Sequence, residues 1–60
     1  MKSPTKEEIR EARKGAGLTQ PAAAELIHCG PDAWASWETG RREMHPAMWE
    51  LFLLKTKAQA

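Results

Sequence analysis

The stretch Leu18-Thr19-Gln20-Pro21-Ala22-Ala23-Ala24-Glu25-Leu26-Ile27-His28-Cys29-Gly30-Pro31-Asp32-Ala33-Trp34-Ala35-Ser36-Trp37-Glu38-Thr39-Gly40 decides how this chain folds. It contains two starts and two stops. Thr19 can N-cap a helix whose first turn holds Pro21, where the missing N–H leaves no bond unmade. Ala22 to Ile27 is a run of good helix formers. His28-Cys29-Gly30 breaks that helix, and Pro31 fits only at the opening of another. Asp32 suits the positive end of this second helix, and Gly40 ends it. The pattern predicts helices over about 20–27 and 31–39, joined by a short turn.

Upstream, Thr5-Lys6-Glu7-Glu8 reads as a capping box, in which Thr5 and Glu8 satisfy each other's backbone N–H groups. It predicts a helix over about 5–15, closed by Gly17 in the left-handed conformation. Downstream, Arg41-Arg42-Glu43-Met44-His45 is a basic connector. Pro46 opens a last helix over about 46–56. Residues 1–4 and the tail from Thr56 are expected to be unstructured.

The faces of these helices differ. Trp34, Trp37 and Glu38 share one side at i, i+3, i+4, with Asp32, Ser36 and Thr39 opposite. That spacing places both tryptophans in the core rather than in a base-stacking platform. Met48, Trp49, Leu51, Phe52, Leu53 and Leu54 cover nearly the whole of the last helix, so it must be covered on two sides. One side can meet the other helices. The other is read as a homodimer interface formed by Met48, Leu51 and Leu54.

Composition agrees with a single small all-α domain over residues 1–60. Ala occurs ten times, Val not at all, and the net charge is +1. Scarce β-branched residues favour helix over strand. A domain this short buries only about 60% of its unfolded surface, which makes a second subunit expected. No apolar run reaches the roughly 18 residues that cross a membrane, and the first residues lack a leader's apolar centre. The single Cys29 cannot form an internal disulfide. A cytoplasmic location is expected.

Catalytic and metal chemistry find little support. His28, Cys29 and His45 are three soft ligands without the spacing of a zinc site. Cys29 reads as core, and no nucleophile, base and oxyanion site assemble in the pattern. No enzyme activity, metal, cofactor or small-molecule ligand is expected.

Two short helices joined by a brief turn form the helix-turn-helix arrangement. The ordered series Leu18-Thr19-Gln20, Ala24, Ile27, Trp34, Trp37-Glu38 and Gly40 resembles the Cro/Xre-type regulators of phages and bacteria. Arg13 matches the arginine near the end of that family's first helix. The resemblance covers residues 5–46. The run from Ala33 to Arg42, followed by Trp49-Glu50-Leu51-Phe52, is similar to small regulators of phages and mobile elements, anti-CRISPR-associated repressors among them. The resemblance implies a lambda-repressor-like bundle of four to five helices, with the helix-turn-helix at about 19–39; the apolar helix over about 46–56 is the expected dimerisation element. It also implies a structural ion pair between Arg13 and Glu38, in keeping with the rule that a buried charge needs a partner. Departures are His28 for the usual Gly, Gly30 for a capping Ser or Thr, and small or acidic residues where Gln, Arg, Ser or Thr commonly read bases.

A helix of this kind fits the major groove of B-DNA. The candidate base-reading residues are Asp32, Ala33, Ser36 and Thr39. Asp32 could accept from cytosine N4, Ala33 could touch a thymine methyl, and the hydroxyls can donate or accept. Candidate phosphate contacts are Thr19, Gln20, Arg41 and Arg42, with Lys6 or Lys14 as additions. The implied role is a transcriptional repressor that binds double-stranded DNA as a homodimer. Its operator would be palindromic, and it would control its own phage or mobile-element operon. The competing role is a protein-interaction module, such as an antitoxin or adaptor, working through the apolar last helix.

Overall fold

Thr5 starts the first helix by accepting the Glu8 backbone N–H on its hydroxyl at 3.1 Å, while Glu8 accepts the Thr5 N–H at 2.8 Å. The computed structural model describes residues 3–59, with side-chain surroundings through residue 57. Within them the chain forms α1 (Lys6–Gly15), α2 (Gln20–Leu26), α3 (Pro31–Thr39) and α4 (Pro46–Gln59). The described residues contain four helices and no strand, so the fold is a small all-α one. None of these helices is long and apolar enough to cross a membrane.

The turn between α2 and α3 follows from local chemistry. The Cys29 N–H donates to the Ala24 carbonyl at 2.8 Å, and the His28 N–H to the Glu25 carbonyl at 3.1 Å. These are the two bonds of a Schellman closure, which puts the intervening residue in the left-handed region. That residue is His28, with φ 59°. Lys55 reaches across from α4 and donates its Nζ to the Leu26 carbonyl at 2.8 Å. A cation at that place complements the negative end of α2.

The core is assembled around Trp34, which has no exposed surface. Its ring meets Trp37 edge-on at 5.7 Å and Phe52 at 4.9 Å. Ile9, Ile27 and Met44 fill the remaining space, and Ala23 and Ala24 let α2 approach closely. Trp49 stacks on Phe52 at 6.4 Å.

Two expectations about the chain's edges are corrected. Pro4, expected in an unstructured lead, is buried. It precedes the cap while Ile9 lies at the fourth helical position, and these are the two places of a hydrophobic staple. (Met1 and Lys2 of that lead lie outside the described residues.) The expected fraying from Thr56 is replaced by helix through Gln59, with the Thr56 hydroxyl donating to the Phe52 carbonyl at 2.9 Å. Along α4, Met48 and Leu51, two of the residues expected at a dimer surface, are partly buried against the chain's own core and keep part of their surface open. Leu53 and Leu54 are the large apolar side chains left exposed, at 42% and 60%.

Candidate nucleic-acid interface

The outward side of α3 is a shallow hollow lined by Asp32, Ala35, Ser36, Thr39 and Arg41. Asp32, Ser36 and Thr39 project together because they recur at i, i+4 and i+7 on a helix of 3.6 residues per turn. Ala35 completes that series at i+3. Ala33 does not belong to it. Expected among the base readers, Ala33 is half-buried against the core, because its position is turned by roughly 100° from that of Asp32. The sequence signal for Ala35 was the same periodicity.

The hydroxyls of the hollow have defined partners. Ser36 Oγ donates to the Ala33 carbonyl at 2.7 Å, and Thr39 Oγ1 to the Ser36 carbonyl at 3.1 Å. Their hydrogens point into the helix, which leaves oxygen lone pairs as the outward groups.

Gly40 sets where the basic connector begins. It adopts φ 83°, a left-handed conformation open to glycine at no steric cost. The Arg41 N–H then returns to the Ser36 carbonyl at 3.0 Å. Arg41 and Arg42 thus follow directly from the end of α3, and both are exposed. The Lys6 stem lies 3.5 Å from where a Cβ on Gly40 would be. The start of α1 therefore passes beside the end of α3. Nothing in the sequence placed Lys6 there ahead of Lys14, because the approach depends on how α1 crosses α3.

Behind this surface lies a buried acid. Glu38 is 3% exposed. Arg13 grips its carboxylate with two donors, Nε to Oε2 at 2.6 Å and Nη2 to Oε1 at 3.2 Å. The Arg13 Nη1 also donates to the Leu18 carbonyl at 3.0 Å, tying down the turn between α1 and α2. The Trp34 indole N–H donates to Oε2, and the Arg10 Nε lies 3.8 Å from Oε1. Burial by itself would raise the Glu38 carboxyl. The hydrogen bonds from Arg13, Trp34 and Gln20, with the Arg13 charge, outweigh it and hold the group below its ordinary value.

Gln20 is part of this cluster. Its amide, expected at a DNA phosphate, donates to Glu38 Oε1 at 3.2 Å. A buried carboxylate has four lone-pair sites to satisfy, and the first turn of α2 brings Gln20 within reach of one. Thr19 is exposed and accepts the Ala22 N–H on its hydroxyl at 3.3 Å. Among the described residues, ion pairs form on Glu38 alone, so Arg41 and Arg42 are not neutralised by an acid.

The possible metal ligands are not brought together. His45 Nδ1 accepts the Ala47 N–H at 3.0 Å at the start of α4. His28 is across the molecule, beside Lys55. Cys29 is half-buried rather than fully so, with its Sγ 3.7 Å from the Ile27 carbonyl. No three His, Cys, Asp or Glu side chains among the described residues converge as a ligand set.

Residues 7–54 match a family described as a helix-turn-helix domain. The chain belongs to that family. The matched span takes in α2 and α3 whole, and membership supports DNA binding. The domain is also similar to the type II methyltransferase M.MspI of Moraxella sp, at 37% identity over 49 residues. That match takes in 82% of the present chain and spans 12% of the methyltransferase.

Proposed function

We propose that the chain is a sequence-specific repressor that binds double-stranded DNA as a homodimer on an inverted repeat and controls its own phage or mobile-element operon. The observation that carries this reading is the outward ridge of α3, which runs directly into Arg41 and Arg42. In a helix-turn-helix the second helix enters the major groove, while the flanking residues hold phosphates. Asp32, Ser36 and Thr39 then face base edges. Thr19, Arg41, Arg42 and Lys6 face the backbone, supplying register and most of the affinity. Two copies would double these contacts, which compensates for a charge of only +1 per chain. Membership of the helix-turn-helix domain family supports a DNA-facing role. Repression would follow from occupying a promoter.

The test is retardation of duplexes taken from the chain's own upstream region. Binding is expected to fall steeply as salt rises, and Arg42→Ala should lower the slope of log affinity against log salt by about one. If no such duplex is retarded while the product of a neighbouring gene co-purifies, the domain is an interaction module of the antitoxin or adaptor kind.

A further inference from the structure

We propose that the hollow on α3 selects a cytosine in each half-site, with Asp32 accepting a hydrogen bond from the cytosine amino group. This rests on the DNA-binding reading above and names the base it would recognise.

The argument starts from the donors and acceptors that the hollow presents. Asp32 offers a carboxylate, which only accepts. Ser36 and Thr39 direct their hydrogens to the Ala33 and Ser36 carbonyls, so their outward lone pairs also accept. Ala35 offers no polar atom. With the Arg41 guanidinium engaged on a phosphate, as the DNA-binding reading has it, the rest of the hollow is an acceptor surface. It repels guanine, which shows two acceptors in the major groove, and thymine, which shows one beside a methyl. Two bases carry an amino donor there. The adenine amino group is flanked by an acceptor on each side, its own N7 and the O4 of the paired thymine. The cytosine amino group has an acceptor on one side only, the O6 of the paired guanine. A carboxylate approaching cytosine therefore meets less repulsion.

A carboxylate near a duplex is also repelled by phosphates. Arg41 lines the same hollow as Asp32, and its positive charge offsets that repulsion. The small Ala35 and Ser36 side chains let the helix lie close to the base edges, which a short acid such as Asp32 requires.

The experiment is selection of bound duplexes from a random library by the full chain and by Asp32→Asn. Asp32 is exposed, so the substitution leaves the core untouched. The unaltered chain is expected to enrich cytosine at one position of each half-site, and replacing that base should weaken binding by roughly tenfold. An asparagine amide both donates and accepts, which matches the N6 and N7 pair of adenine. Asp32→Asn should therefore move the preference at that position from cytosine to adenine. Retained duplexes with no cytosine position, or the same base profile for both proteins, would overturn the cytosine assignment and leave DNA binding standing. A chain that retains no duplex at all would overturn both.

Discussion

Glu38 connects three helices through one side chain. It accepts from Arg13 of α1, Gln20 of α2 and Trp34 of its own α3, and no buried side-chain polar atom among the described residues is left without a partner. Such a cluster stabilises only while complete, because removal of one member leaves a desolvated charge behind. Glu38→Gln strands the Arg13 guanidinium and should cost about 3 kcal/mol. A domain of this length has roughly 3–9 kcal/mol in total, so urea denaturation should show a midpoint lowered by about a third or more. The same carboxyl gives the fold an acid limit. Its folded-state proton affinity is lowered, so the unfolded chain takes up the proton first as pH falls. Its stabilising contribution is then present above the ordinary value of 4.5 and declines as pH drops below it. Thermal melts from pH 7 to pH 3 should show this decline. Any Glu38→Gln protein that still folds should show a shallower one, and equal slopes would refute the assignment.

At the scale of elements, the turns are more informative than the helices they join. The α2–α3 turn has a complete Schellman hydrogen-bond pattern but carries His28 at its left-handed position. A side chain there costs roughly 1–2 kcal/mol, partly offset because glycine loses more freedom on folding. His28→Gly should therefore raise stability by about 0.5–1 kcal/mol, read as a higher urea midpoint with unchanged slope. A lower midpoint would mean that the His28 ring, 3.5 Å from the Lys55 Nζ, contributes more than the backbone strain removes. The last helix shows how an element apolar nearly all round is divided by its neighbours. Phe52 is enclosed, Met48, Trp49 and Leu51 are covered in part, and Leu53 and Leu54 face outward.

For the whole molecule, that exposed pair gives the proposed homodimer its simplest test. Leu51 also supports the core, so its replacement would confuse folding with association. Leu54 is 60% exposed and avoids this ambiguity. Leu54→Glu should give a folded monomer by light scattering, with weakened binding to a palindromic duplex. An unchanged dimer would move the interface elsewhere, and a chain that is monomeric before substitution would remove the homodimer from the proposal.

Much of this architecture was legible from residue order. Capping residues, prolines at first helical positions and glycines at ends act within a few residues of themselves, so α3 begins and ends where its signals stand. The i, i+3, i+4 spacing of Trp34, Trp37 and Glu38 marked the inner face for the same local reason. Contacts between distant positions were another matter. The engagement of Gln20 by Glu38, the approach of Lys6 to Gly40 and the division of α4 into covered and open sides depend on how helices cross. Helix periodicity says which residues share a side, whereas packing against the other helices chooses the side that meets water.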